Sequence, residues 1–136
     1  MADPSVLATA SAAMSAVAQI GMPEARIILA QAVIAVASAP KSNAAYLAID
    51  SALADVRAGN IGQVPAHLRD AHYAGAQKLG HGTDYKYAHY YPHSVAAQEY
   101  LPDELRGKRY YQPTRNGFED LLTTRLEKVR DLLGRG

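Results

Sequence analysis

The 136-residue chain contains no cysteine, no tryptophan and a single phenylalanine. Without cysteine it has no disulfide, no thiolate metal site and no cysteine nucleophile, a composition that suits a reducing compartment. No segment is apolar enough over the roughly 18 residues that a membrane-spanning helix needs. The opening Met1-Ala2-Asp3-Pro4 lacks the basic stretch of a secretory signal. A cytoplasmic location with no membrane partner is the resulting expectation.

Chemical signatures are equally sparse. No GxxxxGK[ST] phosphate loop, no GxSxG elbow and no HExxH zinc motif occurs. Gly75-Ala76-Gln77-Lys78-Leu79-Gly80 has glycines and a lysine, but in the wrong order and without the Ser or Thr that would hold magnesium. Five histidines, His67, His72, His81, His89 and His93, fall within 27 positions. His89 and His93 would share a helical face, but Pro92 between them disfavours a helix. The expectation is hydrogen bonding to loop carbonyls, with no metal ligand, no cofactor and no catalytic residue in this chain. An enzyme built on the histidines or on Asp103-Glu104 is the less favoured class.

Length fits one domain. Apolar residues make up 49% of the chain, with alanine dominating the first half and tyrosine the second. Alanine loses no side-chain entropy in a helix. Asp3-Pro4 reads as a helix start, and Val6, Ala10, Ala13, Val17 and Ile20 form one apolar face closed by Gly21. A second helix runs from about Pro23 to Ala39, apolar nearly all round, and Pro40 stops it. Ser42 caps a third, with Tyr46, Ile49, Leu53 and Val56 at a/d-like spacing and Gly59-Asn60 at its end. Residues 61–116 then turn glycine- and proline-rich and hold eight of the nine tyrosines. Pro65 opens a short helix carrying His67, Leu68, Asp70 and Ala71. Val95–Leu101 and Lys108–Gln112 suggest short strands. A last helix over 117–134 presents Phe118, Leu122, Leu126, Val129 and Leu133 on one face, with Glu119, Asp120, Arg125, Lys128 and Arg130 largely off it.

The expected fold is therefore all-α: a small bundle of three N-terminal helices (3–59), a short helix, an ordered tyrosine-rich irregular segment (61–116) and a C-terminal helix, in a single domain over 1–136.

Two functional surfaces follow. An all-round apolar helix in so small a domain needs a second subunit to bury it, and Ile27, Ile28, Ala30, Gln31 and Ile34 are the candidate self-association residues. Cations interleaved with tyrosines suit single-stranded DNA, through phosphate pairing and base stacking. Lys78, Lys86, Arg106, Lys108, Arg109, Tyr110, Tyr111 and Arg115 are the candidates. The competing reading is that Asp103 and Glu104 pair with these cations and the rings pack inward. The formal net charge of +1 does not favour nucleic acid.

Several phrases resemble the C-terminal region of the RarA/MgsA family (replication-associated recombination protein A, with the Werner-helicase-interacting ATPases as eukaryotic relatives). They are Gly21-Met22-Pro23-Glu24-Ala25-Arg26, Ala39-Pro40-Lys41-Ser42-Asn43-Ala44-Ala45-Tyr46, Val64-Pro65-Ala66-His67-Leu68-Arg69-Asp70-Ala71-His72-Tyr73, Lys78-Leu79-Gly80-His81-Gly82, Tyr85-Lys86-Tyr87 and Tyr100-Leu101-Pro102-Asp103-Glu104-Leu105. The chain departs from the family pattern around Tyr87-Ala88-His89 and Pro92-His93-Ser94. The resemblance implies a clamp-loader-like AAA+ ATPase whose nucleotide module, with its ATP and Mg, precedes an excised C-terminal collar-like domain. That domain would assemble the subunits as a tetramer. The whole protein would then be a nucleoid-associated, DNA-dependent ATPase at stalled replication forks, with single-strand-binding protein as a partner.

Overall fold

A computed structural model describes residues 1–134, apart from the side chain of Gln77. Among these residues there are four α-helices and no strand: α1 (Val6–Ile20), α2 (Ala25–Ser38), α3 (Ala44–Arg57) and α4 (Phe118–Leu132). The fold is all-α, as the helical periodicity predicts. The chain divides into two compact units, Met1–Ala45 with Pro113–Thr123, and Tyr46–Gln112 with Thr124–Gly136.

In the first unit, punctuation falls where the sequence places it. Asp3 Oδ1 accepts the Ser5 backbone N–H at 2.9 Å and the Ser5 hydroxyl at 2.6 Å, fixing the entry to α1. These two bonds, hydroxyl first, hold the Asp3 carboxyl below the ordinary range. Gly21 (φ 74°) ends α1 and its N–H bonds Val17 O. At the far end of α2 the Lys41 ammonium donates to Val36 O at 2.8 Å, to Ala37 O at 3.3 Å and to Ala39 O. A cation at a helix C-terminus satisfies orphan carbonyls and complements the dipole. Ser42 Oγ accepts the Ala44 N–H at 3.1 Å, capping α3.

α1 packs against α2. The buried side chains on the two helices are Ala13 and Ala25, flanked by half-buried Val6, Thr9, Ala16, Val17, Ile28, Ala32 and Ala35. Small residues let the helices approach closely. They also leave little apolar area buried, and burial is what stabilises a helix pair, at about 25 cal/mol per Å².

Glu119, placed off the apolar face by its spacing, is instead completely buried (0% exposed). Its Oε2 accepts the Ser42 hydroxyl (2.8 Å), the Thr114 N–H (2.8 Å) and the Thr114 hydroxyl (2.7 Å). Oε1 meets the Met1 amine at 2.9 Å. Periodicity alone misplaces it because a buried carboxylate is tolerated only when donors surround it, and these come from Met1, from Ser42 and from Thr114 just ahead of the helix. Gly117 (φ 55°) is forced by the same junction: a Cβ there would fall 2.3 Å from Ala2 O and 2.5 Å from Pro40 Cγ.

In the second unit the tyrosine-rich segment is ordered through single turns of 3-10 helix at Ala66–Leu68, Ala76–Leu79, Ala88–Tyr90 and Asp103–Leu105, and through a turn at Pro92–Ser94 whose His93 backbone is not helical. The helix expected after Pro65 is one such turn, ending before Asp70. The expected strands do not form. Val95–Leu101 is held by a side chain: Gln98 Oε1 accepts the Lys86 N–H at 3.0 Å and Gln98 Nε2 donates to Lys86 O at 2.9 Å. One amide thus does what a partner strand would do. Tyr87 packs against Tyr90 edge-on and against His89, each with centroids 5.0 Å apart. Leu122, Leu126 and Val129 of α4, and Leu133 just beyond it, are half-buried as the periodicity predicts, whereas Phe118, expected on the same face, is exposed at the first position of the helix.

Candidate functional site

α1 has no charged residue from Pro4 to Pro23, and α2 has none from Ile27 to Pro40. Their outward surfaces are strongly apolar. Leu7 is 80% exposed, Met14 71%, Ile27 66%, Val33 65% and Ile34 67%. Ile27, Ala30, Gln31 and Ile34 recur at helical spacing and all four are exposed, forming one stripe, whereas Ile28 is half-buried. On α3 the spaced residues Tyr46, Ile49, Leu53 and Val56 are all exposed as well. Isolated exposed leucines are ordinary; contiguous ones on an uncharged helix face mark a surface that something else covers.

Most of the candidate DNA-contacting cations have acidic or carbonyl partners. Asp55, on α3, accepts Lys108 Nζ at 3.0 Å and Asn60 Nδ2 at 3.2 Å on one oxygen, and the Tyr110 hydroxyl at 2.9 Å on the other. The Lys108 bond, then those of Asn60 and Tyr110, hold the Asp55 carboxyl below the usual range. Burial, then Asp55, pushes the Tyr110 phenol up. Arg106 pairs with Asp103 at 2.7 Å and Arg115 with Asp120 at 3.0 Å. Lys86 Nζ donates to Ala97 O at 2.9 Å. Lys78 and Arg109 are exposed, and Tyr110 and Tyr111 are half-buried.

Three of the five histidines, His67, His72 and His81, have hydrogen-bond partners within the loops, and of these His67 bonds a carbonyl. His67 Nε2 donates to Glu99 O at 2.8 Å. Arg69 NH1 lies 3.3 Å from His81 Nε2, and a guanidinium only donates, so Nε2 accepts and the ring proton sits on Nδ1. Nδ1 then donates to the Tyr73 hydroxyl at 2.6 Å. His72 Nδ1 meets Asp70 at 2.9 Å, and the His72 N–H, then its ring, hold the Asp70 carboxyl low. Among the described residues no three His, Asp or Glu side chains are grouped as a metal ion would need.

The second unit also has two clefts that the sequence does not announce. One, about 550 Å³, brings the Val64–Arg69 phrase beside Leu101, Asp103 and Glu104. The other, about 530 Å³, sets His93 and Val95 against the second half of α4. Each joins residues distant in sequence, so no local spacing could signal it. No helix is long and apolar enough to cross a membrane among the described residues.

Residues 1–130 match the family model described as "MgsA AAA+ ATPase C terminal". The chain is 57% identical over 112 residues to the replication-associated recombination protein A of Bacillus subtilis, covering 82% of this chain and 27% of that protein. It is 51% identical over 133 residues to an uncharacterized AAA domain-containing protein of Mycobacterium tuberculosis, covering 98% of this chain and 29% of the relative. It is 40% identical over 126 residues to the replication-associated recombination protein A of Escherichia coli K12, covering 92% and 28%. The chain thus spans less than a third of the length of these relatives, and it belongs to the family of MgsA AAA+ ATPase C-terminal domains.

Proposed function

We propose that this domain is the self-association element of a clamp-loader-like AAA+ ATPase that acts in DNA replication and recombination, assembling its subunits as a tetramer. The observation that carries the reading is the stripe of exposed Ile27 and Ile34 on α2, with Val33 beside it. Covering two-thirds-exposed Ile and Val side chains contributes roughly 1–2 kcal/mol each. The charge-free surface of α1 and α2 suits a like surface, and a second copy supplies one by symmetry. The names of the Bacillus and Escherichia relatives support the replication and recombination role. ATP and Mg would be handled by an AAA+ module beyond this segment, and DNA and single-strand-binding protein would be partners of the whole protein.

Sedimentation velocity on the double variant Ile27→Glu, Ile34→Glu tests the reading. Both positions are exposed, so the variant folds, and it sediments as a smaller species than the parent. Unchanged sedimentation with unchanged circular dichroism removes α2 from the interface.

The alternative, a module contacting single-stranded or fork DNA through the basic-aromatic segment, is less favoured. The pairing of Lys108 with Asp55, Arg106 with Asp103 and Arg115 with Asp120 occupies cations that phosphates would need.

A further inference from the structure

On α4, Arg125, Lys128, Val129 and Leu132 follow the i, i+3, i+4, i+7 rule and share one face. They line the cleft of about 530 Å³ together with Val95, His93 and Asp131. Its aliphatic lining is Val95 and Val129, both half-buried, with Leu132, and the Arg125 and Lys128 side chains are exposed. Among the described residues neither Arg125 nor Lys128 has an acidic partner, unlike Arg106, Lys108 and Arg115. The opposite wall is held in a costly shape. His93 (φ 58°) and Ser94 (φ 55°) are adjacent non-glycine residues in the left-handed region. Such positions cost on the order of 1 kcal/mol each, and they concentrate at ligand sites.

We propose that this cleft docks an acidic peptide segment of a partner protein, with carboxylates on Arg125 and Lys128 and an adjacent leucine-like side chain on Val95, Val129 and Leu132. Charge and shape choose this occupant. The lining carries two cations, Arg125 and Lys128, and one acid, Asp131, a positive balance that favours an anion. An aliphatic lining takes an apolar side chain, whereas a nucleic-acid strand would want aromatic rings beneath its bases. The cleft shares no residue with the α1–α2 surface, so docking and self-association are independent claims.

The test is fluorescence anisotropy with a labelled pentapeptide, Asp-Asp-Glu-Leu-Leu, titrated with this chain. Binding is expected. Arg125→Glu with Lys128→Glu should weaken it about tenfold or more, as loss of two charge-assisted contacts implies. Replacing both leucines of the probe with glycine should weaken it comparably, a change that leaves the protein untouched. Equal binding of the glycine probe would reduce the site to plain ion exchange and overturn the proposal. So would equal binding by the charge-reversed variant. An oligo-dT strand that bound more tightly than the peptide, and was lost on charge reversal, would replace the peptide with nucleic acid.

Discussion

The Ser42 hydroxyl donates to Glu119 Oε2 at 2.8 Å across a sequence separation of 77 residues, while its oxygen accepts the Ala44 N–H that starts α3. One hydroxyl therefore caps a helix and anchors a buried carboxylate. Glu119→Ala would leave the Ser42 and Thr114 donors without an acceptor. A loss of about 2–4 kcal/mol in denaturant-derived stability is expected, because each orphaned buried donor costs about 1–3 kcal/mol. A loss below 0.5 kcal/mol would mean that water replaces the carboxylate.

Gly117→Ala should be nearly as damaging. It adds a Cβ 2.3 Å from Ala2 O, at a φ of 55°. The chain must shift, and a fall of about 2 kcal/mol or more is expected from strain and lost packing together. Gly59→Ala is the control: its φ is similarly positive, at 82°, but nothing lies within 4 Å of the added atom. Its cost should be about 1 kcal/mol, the backbone term alone.

Asp55 sets a pH dependence. Its folded carboxyl titrates below its unfolded value, chiefly through Lys108. Its contribution is therefore complete above the ordinary carboxylate range and is lost as pH falls through the lowered folded value. Thermal unfolding followed from pH 7 to pH 3 should show a steeper decline for the parent than for Asp55→Asn. Parallel curves would remove Asp55 as a contributor. Tyr110 acts at the other extreme: its raised value favours the neutral phenol in the fold, a contribution present below the ordinary tyrosine range and lost at still higher pH.

The same network separates the two readings of the basic-aromatic segment. Lys108→Ala with Arg109→Ala should lower the melting temperature by several degrees, since a loss near 1 kcal/mol shifts a domain of this size by about 2–6 °C. A stable variant that lost single-strand binding, in a parent whose affinity falls steeply with salt, would instead favour DNA contact.

Helix existence was legible because it rests on local signals. Asp3, Gly21, Pro40, Ser42 and Gly59 act within a few residues of their own positions. The long-range parts were not. Glu119 lies at a charged position of an amphipathic helix, and nothing local says that Ser42, 77 residues away, comes to meet it. Val95–Leu101 and Lys108–Gln112 have strand-like composition, yet strands need backbone partners. Gln98 and Asp55 satisfy these segments through side chains instead. For the candidate site, the apolar character of α2 was plain from the sequence, and its outward stripe follows from helical spacing. The pairing of Lys108 and Tyr110 with Asp55 spans more than fifty residues, which no short-range rule detects. The cleft beside Arg125 and Lys128 is of the same kind.

Light scattering of this chain across a tenfold dilution tests the central proposal most directly. Assembly through the α1–α2 surface predicts a stable mass near four times 14.6 kDa. A mass that stays at 14.6 kDa throughout would contradict self-association by this domain alone.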